Sequence, residues 1–255
     1  MKISFKVAVY ASIGILLFAS CSKGDVTSSD SLSAAIASDA TVPDLSKCKI
    51  RRIYEKPIGE EGNYMGLFSY NKAGNPYSVL FFPKGPWEYY FFYDAQNRLI
   101  AHTEYAYGIT ARHYYRHNAA GQIVIDSAIY PGSDLKDTTI YVSTIAYDWK
   151  GRVVKETIVN TRNDGLPLDR TRRPTYTYDN RGNLGVNGWK SSSYDYKINP
   201  LRQNPVFQFI HRNYSMNNPS VQPKYNSKGL PLSLSPSNDV FFNFNGIPKI
   251  VYDCQ

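Results

Sequence analysis

The sequence has no Gly-x-Ser-x-Gly elbow, no Gly-rich phosphate loop and no His-Glu-x-x-His pair. Their absence excludes the hydrolase, nucleotide and zinc-protease sites that such motifs build. Histidine is scarce, four in 255 residues, and cysteine scarcer, with three. His113 and His117 have the spacing of helical metal ligands, but in a strand four residues span about 13 Å, too far to share one ion. A glycosidase needs two opposed carboxylates. Asp94, Asp148 and Asp179 are explained by turns, and Asp25, Asp30, Asp39 and Asp44 lie in a polar N-terminal stretch. Glu88, Glu104, Glu156 and Asp126 remain, and nothing in their spacing selects a pair. The reading therefore gives no catalytic residue, no cofactor and no metal. Long apolar periods of helical type are also missing after residue 20, so apolar side chains must be buried by strands.

A short pattern recurs seven times. An aromatic, a second residue, another aromatic and Asp or Asn lead into a turn that contains Gly. It reads Phe68-Ser69-Tyr70-Asn71-Lys72-Ala73-Gly74, Phe91-Phe92-Tyr93-Asp94-Ala95-Gln96-Asn97 and Tyr115-Arg116-His117-Asn118-Ala119-Ala120-Gly121. Ile145 to Gly151, Tyr176 to Gly182, Lys224 to Gly229 and Phe242 to Gly246 follow. Aromatics two apart share one face of a strand. Asp or Asn opens the turn by bonding backbone N–H groups further along, and Gly (or Asn97) accepts positive φ. Apolar strands resume at once, at Leu99, Ile123 and Val153. The expected fold is all-β: a meander of repeated hairpins forming a large curved sheet or open barrel, with few or no helices beyond the leader.

Tyr147-Asp148-Trp149-Lys150-Gly151-Arg152-Val153-Val154 and Tyr178-Asp179-Asn180-Arg181-Gly182-Asn183-Leu184 resemble the YD repeats of Rhs-type proteins. The chain is too short for the closed shell of those proteins. It more nearly resembles small lipoproteins of Bacteroidetes-type bacteria with YD-like repeats and no assigned function. These share a late insertion that here reads Tyr194-Asp195-Tyr196-Lys197-Ile198-Asn199-Pro200 and then Asn217-Asn218-Pro219. The resemblance implies fold and location and supplies no catalytic residue.

The N-terminus reads as an export signal: Lys2 and Lys6, an apolar run from Val7 to Phe18, then Ala19-Ser20-Cys21. Residues 1–20 form a lipoprotein signal peptide, with Cys21 as the lipid attachment site. Residues 21–46, rich in Ser, Asp, Ala and Thr, form a disordered tether with a mean reach of roughly 28 Å. Residues 47–255 form the repeat domain. Localisation is the outer membrane, on the periplasmic side or the cell surface.

The net charge of +8 falls to +6 when Lys2 and Lys6 leave with the leader. That suits anionic headgroups or glycans, and an exported protein has no nucleic-acid partner. Basic residues are scattered apart from Arg51-Arg52 and Arg170-Thr171-Arg172-Arg173. Cys48 and Cys254 then remain as a pair able to form a disulfide. The first and last strands of an open meander lie at opposite edges, beyond the ~7 Å Cα limit. A bond would therefore mean that the sheet closes or curls; without one, these are two core-facing thiols, and the reading leans to the thiols.

The 47-residue gap between the fifth and sixth repeats breaks the period. Within 188–221, Val206 to Ile210 suits either a strand or a helical turn. Trp189, Phe207, Phe209, His211 and Arg212, with Arg202 nearby, are the candidate surface for a glycan or envelope-protein partner. Alternatively, Phe207 and Phe209 plug a sheet edge. The function expected is a non-enzymatic binding or scaffold module joined to the membrane by its lipid. The alternatives are a purely structural envelope protein and a carbohydrate-active enzyme.

Overall fold

The structure is a computed structural model describing residues 48–55, 64–82, 88–105, 108–132, 138–162, 167–187, 189–190, 194–219, 224–233 and 249–254. The leader, the tether with Cys21 and the seventh repeat copy lie outside the described residues. Strands β1 (Cys48–Glu55), β2 (Tyr64–Tyr70), β3 (Pro76–Phe82), β4 (Glu88–Tyr93), β5 (Leu99–Tyr105), β6 (Ile109–His117), β7 (Ile123–Tyr130), β8 (Thr139–Tyr147), β9 (Val153–Arg162) and β10 (Pro167–Arg172) run in succession. They form one antiparallel sheet, which β16 (Lys249–Cys254) joins beside β1. The sheet stays open, with β10 and β16 as its edges. Two small sheets flank it in sequence. One holds β11 (Tyr176–Tyr178), β12 (Leu184–Val186) and β13 (Trp189–Lys190); the other holds β14 (Tyr194–Ile198) and β15 (Asn217–Pro219).

The repeat works as its residue types dictate. Asp148 Oδ1 accepts from the backbone N–H groups of Lys150 and Arg152, both at 2.9 Å. Asn71, Asp94, Asp179 and Asn226 each make the same pair of bonds in their own turns. Gly121, Gly151 and Gly182 have φ of 77°, 74° and 83°, and Asn97 reaches 58°. Two of these glycines separate backbone strain from crowding. A Cβ on Gly121 would meet nothing within 4 Å, whereas one on Gly182 would lie 2.8 Å from Met216 Cγ. Gly121→Ala is therefore expected to cost about 1 kcal/mol through its backbone conformation alone. Gly182→Ala should cost more, and urea unfolding of both variants measures the difference.

The second aromatic of the repeat has a task that side-chain alternation does not reveal. Its phenol donates to a carbonyl near the start of an earlier strand, which for Tyr93, Tyr147 and Tyr178 is the strand that resumed after the preceding turn. Tyr70 bonds Ile50 O at 2.8 Å, Tyr93 bonds Pro76 O at 2.7 Å, Tyr147 bonds Ile123 O at 2.7 Å and Tyr178 bonds Val153 O at 3.0 Å. Each unit is thus tied to its neighbour by a polar contact as well as by packing. The first aromatic position is the apolar part: Phe68, Phe91, Tyr115, Ile145 and Tyr176 are all buried in one core on one face.

That face is covered by the insertion. A 3-10 helix, Pro200–Gln203, leads into α1, Pro205–Ile210. Asn199 and Asn204 cap them, accepting from Leu201 N and Val206 N at 2.9 Å, and proline occupies the first helical position of each. An Asn cap followed by Pro is a strong helix start, because Pro gives up only an N–H that would have no helical partner. Val206 to Ile210 is therefore helix. Phe207 packs edge-on against Phe68, with ring centroids 5.9 Å apart, and Phe209 does so against Tyr115 at 5.3 Å. Both phenylalanines are buried. They neither face outward for a ligand nor plug an edge; they close the open face of the sheet, because a single sheet with an apolar face needs a second layer.

The cysteine reasoning also needs correction. Cys48 and Cys254 are directly opposed across β1 and β16 and form a disulfide. The premise that the last strand lies at the far edge fails. After β10 the chain builds the smaller sheets and helices, then returns to pair with β1. The ends meet without the sheet closing.

Candidate functional site

The same covered face holds an unusual set of polar residues. Register places His102 of β5 opposite His113 of β6, and Tyr115 opposite Asp126 of β7. Asp126 stands opposite Ser143 of β8, and Glu156 of β9 opposite Ile145. Glu104 lies two residues beyond His102, so alternation puts it on the same face. Five neighbouring strands thus contribute side chains to one patch.

The hydrogen bonds join this patch into a network. The His102 and His113 rings stack with centroids 4.1 Å apart and planes 17° apart. His102 Nδ1 lies 2.6 Å from the Tyr115 hydroxyl, and His102 Nε2 lies 3.3 Å from Glu104 Oε1. His113 Nδ1 lies 2.8 Å from Asp126 Oδ1. Arg212, just after α1, reaches back and donates from Nη2 to Asp126 Oδ2 at 3.0 Å and from Nε to Glu156 Oε1 at 2.7 Å. The Tyr176 hydroxyl donates to the other Glu156 oxygen at 2.8 Å.

The electrostatics follow from burial and pairing. Burial alone pulls the Arg212 guanidinium down, but Glu156 and Asp126 outweigh it and hold its pKa above the ordinary value. Burial raises the Asp126 carboxyl, and the His113 hydrogen bond together with the charges of His113 and Arg212 more than reverses this. Burial pushes His102 below the usual imidazole range, so its neutral form is favoured. Desolvation likewise lifts the Tyr115 phenol well above its usual range, which keeps it a hydroxyl.

Burial lowers His211 from 6.5 to about 4, with His102, Glu104 and Arg212 as the charges around it. The folded state holds this ring neutral and the unfolded state does not. Its contribution to stability is therefore complete above about pH 6.5 and is lost as pH falls towards 4. The expected loss is up to about 3 kcal/mol. Denaturant midpoints at pH 7 and pH 4 should show it, and the pH dependence should be shallower in His211→Gln.

Beside the network lies a cavity of about 480 Å³, lined by His102, Glu104, His113, Asp126 and Arg212 and rimmed by Tyr130, Tyr141 and Arg172. The Tyr130 and Tyr141 rings meet edge-on with centroids 5.2 Å apart, and the Arg172 guanidinium sits 5.7 Å from the Tyr141 ring. Tyr130 and Arg172 are exposed.

Of the residues expected at a site, Arg212 is central and His211 is beside it, while Phe207 and Phe209 serve the core. The Trp189 backbone pairs with Val186 in a small sheet, and its side chain lies outside what the structure describes. Glu104, Asp126 and Glu156, left unpaired by spacing, converge here. Glu88 does not; it accepts from Tyr90 OH at 2.8 Å. Among the described residues, His102, Glu104 and His113 bring one ligand atom each to within 4.8 Å of one another. His117 takes no part, as its spacing from His113 implied. A signal for the pair did exist: His102 lies three residues before the end of β5 and His113 four residues after the start of β6. No protein-family model matches the chain, and no curated protein matches it.

Proposed function

We propose that this chain is an outer-membrane-anchored lipoprotein whose β domain binds a ligand without transforming it, and that the ligand is a glycan of the cell envelope. The observation that carries this reading is the cavity on the covered face, with Tyr130 and Tyr141 at its rim and hydrogen-bonded polar side chains at its base. A volume near 480 Å³ is of the size that small-molecule sites use. Tyrosine rings offer flat apolar faces for sugar rings, while Arg172 and Glu104 offer directional bonds to hydroxyls. Arg212 favours binding over hydrolysis. It bonds Asp126 and Glu156 at once, and the second Glu156 oxygen accepts from Tyr176, so neither carboxylate is free for acid–base work. Lipid attachment at Cys21 and the resemblance to YD-repeat lipoproteins support the location.

Calorimetric titration of the purified protein with peptidoglycan fragments and lipopolysaccharide core oligosaccharides tests the reading. Saturable binding, weakened at least tenfold by Tyr130→Ala with Tyr141→Ala, is expected. No binding across the panel, or binding indifferent to both tyrosines, would favour the purely structural alternative. Cys21→Ser should move the domain out of the membrane fraction.

A further inference from the structure

We propose that the base of this cavity is a site for a divalent transition-metal ion of zinc's class, held by His102 Nε2, His113 Nε2 and a Glu104 carboxylate oxygen. The inference shares its cavity with the binding reading and rests on it only for what the ion would do there.

Backbone register brings the donors together: two histidines directly opposed across a hairpin, and a glutamate on the same face two residues along. The His102 Nε2 to Glu104 Oε1 distance is 3.3 Å. That is about the edge of a tetrahedron whose ligand bonds are ~2.0–2.1 Å. The His113 atom lies within 4.8 Å of both. A shared ion needs the stacked rings, 4.1 Å apart, to open so that their Nε2 edges converge.

The surrounding bonds carry the argument further. Both Nδ1 atoms are already engaged, by the Tyr115 hydroxyl and by Asp126, and Asp126 is itself fixed by Arg212. Metal-bound histidines are oriented in this way, with the second ring nitrogen hydrogen-bonded to an oxygen partner. The Tyr115 hydroxyl can either donate or accept, so it serves the tautomer that leaves Nε2 open for an ion.

Charge points the same way. The cavity lining holds Glu104, Asp126 and Glu156 against Arg212 and the exposed Arg172, three acidic side chains to two basic ones. Two imidazoles and one carboxylate suit zinc-class ions better than magnesium or calcium, which prefer oxygen donors. Among the described residues the set has three members, which leaves a coordination position for water or for a ligand oxygen from the cavity.

The test uses the full chain in detergent, stripped with a chelator and titrated with Co²⁺. One equivalent should bind with the visible absorption of four- or five-coordinate Co²⁺, and Zn²⁺ should displace it. His113→Asn and Glu104→Gln should weaken binding at least 100-fold. Tyr115→Phe, a positioning change, should weaken it roughly 10- to 100-fold and alter the cobalt spectrum. His117→Gln should leave it unchanged. A cooperative melt checks each variant. If His113→Asn does not fold, Glu104→Gln decides, because its side chain is 27% exposed at the cavity. Absence of the spectrum, or loss in His117→Gln equal to that in His113→Asn, overturns the site. Cobalt bound with no glycan captured leaves the metal standing and defeats the binding reading. Glycan captured by a chain that gives no cobalt spectrum does the reverse.

Discussion

Arg212→Ala should lower the unfolding free energy by about 3–5 kcal/mol at neutral pH, the range for breaking a buried ion pair by removing one partner. The guanidinium is 14% exposed, and its two carboxylates are 9% and 6% exposed. Deleting it leaves Asp126 and Glu156 facing each other across the space it filled. Each has lost its charged donor. Arg212→Lys should recover little, since one ammonium cannot span two carboxylates as a planar fork does. The defect should also depend on pH. The folded Asp126 pKa is depressed, so its contribution to stability is present above the unfolded carboxylate value and is lost as pH falls through the folded one. The gap between wild type and Arg212→Ala should therefore be widest near pH 7 and narrow in acid. Urea unfolding at several pH values measures this, and a gap constant with pH would mean that Arg212 acts through packing alone.

Phe207→Ala should cost a similar 3–5 kcal/mol, as large-to-small changes at buried aromatics do. Its ring is 1% exposed and sits between the insertion and the sheet. The contrast is with Trp149→Ala, at a turn where the ring is 88% exposed, which should stay within about 0.5 kcal/mol. If the insertion were only a loop over a sheet that is stable by itself, the two substitutions would look alike. Denaturation midpoints of the two variants decide between a second layer and an accessory loop.

How much of this could be read in the sequence depends on distance along the chain. Turn chemistry is local: Asp148, Gly151 and Asn97 have roles fixed by their immediate neighbours, and the structure shows those roles. The phenol ties of Tyr70 or Tyr147 span 20 and 24 residues. The two-residue alternation gives each tyrosine a face but not a partner, so the ties were hidden. The pairing of His102 with His113 was within reach, because near-equal distance from a hairpin return predicts opposition. A helical or within-strand spacing test cannot see it. Arg212 lay furthest out of reach. Its contacts with Asp126 and Glu156 are 86 and 56 residues away, and they exist only because Asn204 and Pro205 start a helix that turns the chain back over the sheet. The same non-locality defeated the cysteine reasoning, which assumed that order along the chain equals order across the sheet.

That disulfide has a consequence for breakage. It joins residues 206 apart, so the described turns and returns between Cys48 and Cys254 all lie within one covalent ring. A protease that cuts one turn, at Lys150 for example, opens the ring but separates nothing. Both fragments stay joined through sulfur, and the strands on either side of the cut keep their partners. A singly nicked molecule should migrate as one species until a reductant is added and then fall into two. A first cut is thus survivable, and only a second, or a reductant, sets a piece adrift.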